Sequence, residues 1–114
     1  MLTVFGIKQC DTVKKSRKWL QDNKIEHHFH DVRTDGLDAQ MIQRWCNALG
    51  WESVVNKRST TWRGLDEESK NGLNSHNVIA LLLAHPTLIK RPIVEGDQTI
   101  LLGFKPADFE ATFK

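Results

Sequence analysis

A short apolar stretch near the start of the chain runs into a basic amphipathic segment, and a cysteine lies at the junction. Residues 2–7 are rich in β-formers and predict a buried strand, and residues 11–20 predict a helix. Cys10 is therefore expected at a strand-to-helix turn, where backbone N–H groups and the helix dipole favour an anion. This position predicts a reactive thiolate. The alternative is an inert cysteine that ends a buried strand, because free cysteines are among the most buried residues.

The composition is that of an ordinary globular domain. Of 114 residues, 39% are hydrophobic and 26% are charged, and the formal net charge is +2. So small a charge argues against nucleic-acid binding by electrostatics alone, and the four scattered tryptophans do not form a base-stacking platform. The longest apolar run, residues 78–84, is too short to span a bilayer, and no signal pattern is visible. We expect one cytoplasmic domain, 1–114, with no membrane and no direct nucleic-acid partner.

The cysteines and histidines do not form a disulfide or metal pattern. Cys10 and Cys46 are far apart and lack CxxC spacing, and Cys46 lies beside the apolar stripe of a predicted helix, which favours packing. His27, His28 and His30 share a predicted strand, but no cysteine or carboxylate pair is placed to complete a tetrahedral zinc site. We predict no metal.

The order of predicted elements indicates an α/β, thioredoxin-like fold. A strand at 26–32 completes β-α-β, a helical insertion covers about 36–86, and a hairpin (92–95 and 99–102) and a helix (106–113) follow. Within the insertion we predict a helix from 37 to 49 capped by Asp38 and ended by Gly50, helical turns near 59–63 and 66–69, and a helix at 75–85. Stripped of the insertion, this is a four-stranded mixed sheet with packed helices. Pro92 is then the cis-proline candidate beside the thiol, although the sequence leaves its isomer open.

Four blocks of sequence resemble the arsenate reductase-like family, which also contains the Spx transcriptional regulators. The blocks are residues 6–15 around Cys10, residues 56–63, residues 85–94 and residues 103–106. They follow the family's order over essentially the whole chain, and within the family they most resemble the YffB branch.

The resemblance implies roles for several residues. Cys10 matches the catalytic cysteine, which in arsenate reductases attacks arsenate and is then glutathionylated. The remaining matches concern the anion: Arg58 and Arg91 match two arginines that contact the oxyanion, Lys105 falls near the place of a third, and Thr12 matches a threonine of the anion loop.

Three positions depart from the family's pattern. Gly6 stands where arsenate reductases carry a histidine, Asp11 where they carry a glycine, and Val13 where Spx regulators often carry a second cysteine. The Asp11 carboxylate would repel an oxyanion, which argues against efficient arsenate reduction. With no cysteine at position 13 and Cys46 expected to be buried, the thiol that resolves a mixed disulfide should come from another molecule.

Glutathione is the expected external thiol, because Arg58, Arg91 and Lys105 could hold its carboxylates. We predict a glutathione-dependent thiol oxidoreductase with Cys10 as nucleophile and no bound cofactor; glutaredoxin is a further candidate partner. Two alternatives stay open. One is an Spx-like module that binds RNA polymerase without turnover, for which the basic first helix suits an acidic surface. The other is a true arsenate reductase coupled to glutathione or glutaredoxin.

Overall fold

The computed structural model describes residues 2–114, and the chain divides into two compact units. One unit comprises the residues up to Asp35 together with Arg91–Lys114, and the other is Gly36–Lys90. The first contains β1 (Leu2–Gly6), α1 (Asp11–Asp22), β2 (His27–Asp31), β3 (Ile93–Glu95), β4 (Ile100–Leu102) and α7 (Pro106–Phe113). The second contains α2 (Ala39–Leu49), α3 (Trp51–Val54), α4 (Thr60–Arg63), α5 (Glu67–Asn71), α6 (Val78–Ala84) and a 3-10 turn at Pro86–Leu88.

The four strands form one mixed sheet in the order β2-β1-β3-β4. β1 is parallel to β2 and antiparallel to β3, and β3 is antiparallel to β4. The crossover from β1 to β2 runs through α1. A hairpin joins β3 to β4, and in it the Gly96 N–H donates to the Thr99 carbonyl at 2.8 Å. This topology confirms the predicted α/β, thioredoxin-like fold.

The core of the first unit lies between the sheet and helices α1 and α7. The buried residues of α1 recur three and four positions apart, as expected for a helix that turns one face inward: Val13, Ser16 and Leu20. The core cluster consists of Val4, Val13, Leu20, Val94 and Phe109. The Phe109 ring meets three others edge to face, at centroid distances of 5.4, 5.0 and 5.5 Å: Trp19, Phe104 and Phe113.

The second unit is helical and begins with the predicted cap. An Asp38 side-chain oxygen accepts the Met41 N–H at 2.9 Å, and α2 ends at Gly50, whose φ of 86° suits glycine. Ile42 and Trp45 are fully buried, and α2 packs against α3 and α6.

Several boundaries differ from the sequence prediction. The last helix of the second unit, α6, begins at Val78 and not at residue 75, because a turn formed by Asn74 and Asn77 precedes it. In this turn Asn74 Oδ1 accepts the N–H groups of His76 and Asn77, and Asn77 Oδ1 accepts the N–H of Asn74. The predicted strands are one residue too long at Ile7 and at Pro92, since Ile7 already accepts a turn bond and proline has no N–H to donate. Among the described residues, no helix is long and apolar enough to cross a membrane.

Candidate functional site

Four strand termini meet at one end of the sheet, and most of the predicted site residues follow or precede them. Gly6 pairs with Asp31 at the ends of the parallel strands β1 and β2. Because Ile93 pairs with both Phe5 and Leu102, the start of β3 and the end of β4 lie at this same end. The connecting segments that carry Cys10, Arg91, Pro92 and Lys105 adjoin it, and Thr12 lies in the first turn of α1, which begins directly after Cys10. The sheet therefore brings these five residues to one region of the first unit.

Cys10 is the N-cap residue of α1, where the sequence predicts it. Its backbone is extended (φ −85°, ψ 120°), and its side chain makes no capping hydrogen bond. The Cys10 N–H donates to the Ile7 carbonyl at 3.3 Å, and its carbonyl accepts the Lys14 N–H at 3.0 Å. The half-buried side chain packs against the core cluster of the first unit. Cys10 is thus fixed at the positive end of the helix dipole, and the residue is only partly buried.

The residues around the thiol are open to solvent. Lys8 and Gln9 precede it, Asp11 and Thr12 follow it, and all four are exposed. Asp11 is the acidic residue of the first turn of α1, where a negative charge stabilises the helix. The Asp11 carboxylate therefore has a role in helix stability, whatever it does to an approaching anion.

Asp31 anchors the turn before Cys10, and the sequence prediction missed it. Asp31 is only 3% exposed. Its carboxylate accepts the Lys8 N–H at 3.3 Å and the Arg33 N–H at 2.8 Å. Burial tends to raise the pKa of Asp31, but the hydrogen bonds from the Arg33, Lys8 and Thr34 backbone outweigh it, so the pKa lies below its ordinary value. An ionised carboxylate thus links the end of β2 to the loop that presents the thiol.

The absence of a side chain at position 6 has a steric cause. A Cβ built on Gly6 would lie 2.5 Å from Cγ2 and 3.3 Å from Cγ1 of Val13. Val13 itself is buried in the core, directly after the Cys10 turn. Positions 6 and 13 therefore depend on each other, because a side chain at position 6 has no room beside Val13.

Arg91 and Lys105 reach this end of the sheet from the other strands. Arg91 is half-buried, and the Arg91–Pro92 peptide bond is cis, the isomer that the sequence left open. The buried Pro92 uses its carbonyl to accept the Gly103 N–H at 2.8 Å, which ties the start of β3 to the loop after β4. Lys105 is exposed at the N-cap of α7.

Arg58 belongs to the second unit, where it lies beside other cations. Its N–H donates to Asn56 Oδ1 at 3.1 Å. It lines a cavity of about 310 Å³ together with Val55, Asn56, Lys57 and Lys90. The cavity wall is held by backbone bonds, from the Asn56 N–H to the Leu88 carbonyl at 2.7 Å and from the Lys90 N–H to the Val54 carbonyl at 2.8 Å. An anion would meet three positive side chains there.

Cys46, His27 and His30 pack or form hydrogen bonds within the fold. Cys46 is half-buried in α2, and burial raises the pKa of its thiol. The His30 ring lies 5.0 Å from the Phe5 ring, and His27 Nδ1 lies 3.3 Å from the Ile25 carbonyl. Over residues 2–114, no group of three or more histidine, cysteine or carboxylate side chains is arranged to hold a metal ion.

Comparison with known proteins places the chain among relatives with the same fold. The family model of the ArsC family matches residues 5–112. An uncharacterized protein of Haemophilus influenzae is 51% identical over 113 residues, which cover 99% of each chain. The solved structure of a YffB protein is 42% identical, with a TM-score of 0.95 and complete coverage of both chains. The global transcriptional regulator Spx of Streptococcus pyogenes is 25% identical over 113 residues, covering 97% of this chain and 84% of that one. This chain belongs to the ArsC family, whose model matches it from β1 to α7.

Proposed function

We propose that this protein is a glutathione-dependent thiol oxidoreductase and that the Cys10 thiolate is its nucleophile. The observation that carries the proposal is the position of Cys10: a partly buried cysteine at a helix N-terminus, at the end of the sheet that the segments with Arg91 and Lys105 also adjoin. Helix N-termini and neighbouring cations favour the thiolate, which is the attacking form. A supply of reduced glutathione is consistent with the cytoplasmic location that the cysteine content predicts.

The reaction has two thiol–disulfide exchanges. The Cys10 thiolate attacks the glutathione sulfur of a mixed disulfide, a new S–S bond forms between Cys10 and glutathione, and the substrate leaves as a thiolate that takes a proton from water. The thiolate of a second glutathione then attacks this bond, releases oxidised glutathione and regenerates the Cys10 thiolate. The sum is one substrate disulfide and one glutathione converted to one substrate thiol and one glutathione disulfide.

We propose an external resolving thiol because neither position 13 nor Cys46 offers a suitable internal one. Val13 occupies the position at which an internal partner would lie close to Cys10 in sequence, and it is buried. Cys46 lies in the other unit within α2, and burial disfavours its thiolate. For the carboxylates of glutathione, we propose Arg91, Lys105 and Thr12 of the first unit. Arg58, with the cationic cavity that it lines, is a separate candidate anion site within the second unit.

Turnover of a small glutathione mixed disulfide tests the proposal directly. Cys10→Ser should abolish turnover, and the matched variant Cys46→Ser should keep it. Loss of activity in a folded Cys46→Ser protein would show that Cys46 is the resolving thiol. Unchanged activity in Cys10→Ser would overturn the proposal.

Arg91 has its own test through the affinity for glutathione. Removing a hydrogen bond to a charged group costs about 1.5–3 kcal/mol, so Arg91→Ala should weaken binding roughly ten- to a hundredfold. Arg91→Lys should recover only part of this, because an ammonium cannot reproduce the planar fork. Calorimetry with glutathione measures both variants. Unchanged affinity in Arg91→Ala would remove Arg91 from the site.

An Spx-like binding function is the second candidate, because the Streptococcus pyogenes regulator aligns with nearly the whole chain. Such a module would bind RNA polymerase through its fold without turnover. Binding that is equal for the wild type and Cys10→Ser, with no thiol-transfer activity in either, would favour this candidate. Arsenate reduction is measured in the same preparations, and the exposed Asp11 carboxylate leads us to expect little of it.

A further inference from the structure

We propose that the exposed face of α1 around Lys14 and Lys15 is a docking surface for acidic polypeptides that carry the disulfide on which Cys10 acts. This names the substrate class of the proposed function and rests on that function for the role of Cys10. The surface consists of Lys14 and Lys15, one turn beyond the thiol.

The position of these lysines opposes the electrostatics of the helix. A helix N-terminus carries a partial positive charge, so cations are stabilising near the C-terminus and destabilising near the start. In α1 the last turn holds no basic residue, whereas Lys14 and Lys15 are the fourth and fifth residues of the helix. The helix dipole therefore does not explain why these two positions are basic, and the Asp11 carboxylate, three and four positions earlier, is the opposite charge nearest to them along the helix.

Contacts within the first unit do not explain them either. Two of the four cations of α1 have partners: the Arg17 guanidinium lies 4.5 Å from the Phe29 ring centroid, and Lys18 Nζ lies 2.9 Å from Asp22 Oδ2. Lys14 and Lys15 are exposed, and over residues 2–114 neither has an ion pair or an aromatic partner. Lys14 and Lys15 therefore remain two adjacent exposed cations without an ion pair, four and five residues after Cys10.

The surroundings of Cys10 favour a macromolecular substrate. Every residue from Lys8 to Thr12 other than Cys10 itself is exposed, so the partly buried Cys10 is flanked by residues that another protein can approach. A polypeptide with acidic residues around that disulfide would be attracted to the two lysines before the sulfur atoms meet, which raises the association rate. Nucleic acid carries no disulfide for the Cys10 thiolate to attack, so a polypeptide is the occupant that the proposed function requires.

Glutathionylated peptides of opposite charge provide the test. Two peptides of equal length, one with four glutamates and one with four lysines around a glutathionylated cysteine, are each mixed with excess protein, and the rate constant for transfer of glutathione to Cys10 is measured. We expect the wild type to prefer the acidic peptide at low ionic strength, where the Debye length is about 30 Å. Lys14→Glu and Lys15→Glu should each lower the acidic-to-basic rate ratio by roughly tenfold, and the difference should vanish near 1 M salt.

Two controls separate docking from other effects. Lys24→Glu makes the same change in net charge beyond the other end of α1 and should leave the rate ratio within about twofold of the wild type. A neutral small disulfide reports any change in Cys10 itself, and dividing by its rate removes that contribution.

The possible outcomes are distinct. An unchanged ratio in both lysine variants, or an equal change in Lys24→Glu, overturns the docking surface and leaves the proposed function standing. Competition by a single-stranded oligonucleotide that exceeds competition by an acidic peptide of equal charge would overturn it in favour of nucleic acid. No reaction of wild-type Cys10 with either peptide or with the neutral disulfide would refute the proposed function itself.

Discussion

Replacing Gly6 with alanine should destabilise the protein, because the added methyl group has no room. It would lie 2.5 Å from Cγ2 of Val13, which is 1% exposed. A valine in a helix has one strongly preferred rotamer, so α1 or β1 must move to relieve the contact. Such overpacking costs about 1–3 kcal/mol. Alanine also lowers the conformational entropy of the unfolded chain, which stabilises the folded state by roughly 0.4–1 kcal/mol. We expect a net loss of about 1–2 kcal/mol in the free energy of unfolding.

A second substitution shows whether Val13 is the cause. Val13→Ala alone removes two buried methyl groups, which costs about 0.8 kcal/mol each plus a cavity term, or roughly 2 kcal/mol in all. In the double variant, the new Cβ at position 6 lies 3.5 Å from the Cβ at position 13, an ordinary contact that fills part of the cavity. The double variant should therefore be at least as stable as Val13→Ala, and about 2 kcal/mol more stable than the sum of the single effects predicts.

Urea unfolding of the wild type, both single variants and the double variant measures this coupling. The dependence of the free energy on urea should be the same in all four proteins, which shows that the changes are in stability. Effects that add to within about 0.5 kcal/mol would refute the steric reasoning. A Gly6→Ala protein as stable as the wild type would show that the strand and helix separate at this contact without cost.

Further predictions concern the cysteines, Asp31 and the cap of α2. Because burial raises the pKa of Cys46, limiting iodoacetamide should modify Cys10 first, as read by peptide mass spectrometry; equal labelling would contradict this. Asp31→Ala should cost about 1–3 kcal/mol at pH 7, since the Lys8 and Arg33 amides lose their acceptor. The pKa of Asp31 lies below its ordinary value, so its contribution is present at neutral pH and lost as the pH falls below about 3.9. The free energies of unfolding of the wild type and Asp31→Ala, measured with urea, should therefore become equal in acid. A difference that stays constant with pH would contradict a role for the ionised carboxylate. Asp38→Ala should lower stability by about 1 kcal/mol and Asp38→Asn by much less, as thermal unfolding would show; equal losses would remove the capping role.

The local pattern of the sequence was sufficient to predict most elements and the position of Cys10. The apolar stretch before Cys10, the Asp38 cap, Gly50 and Pro106 are signals that act within a few residues, and the structure has the corresponding ends at or next to the predicted positions. The start of α6 was wrong because the Asn74–Asn77 turn depends on side chains that compete with helical backbone bonds.

Long-range contacts of the site could not be predicted in the same way. Asp31 has one local signal, an aspartate that accepts the N–H two residues later, as in a common turn. Its bond to Lys8 depends on the alignment of β1 with β2, and the contact of Gly6 with Val13 depends on how α1 packs on the sheet. Neither is encoded in spacing along the chain.

The central pair of strands joins residues that are far apart in the chain, and this affects how the protein is made. β1 pairs with β3 through Thr3 and Glu95, so the whole of Gly36–Lys90 is synthesised between the two partners. Closing so long a loop is slow compared with forming α1 or the helices of Gly36–Lys90. During synthesis, Cys10 would leave the ribosome long before Arg91 and β3, and the nascent chain would expose a thiol whose surrounding sheet is incomplete. Oxidants would therefore react with Cys10 of the nascent chain in surroundings that differ from those in the completed fold.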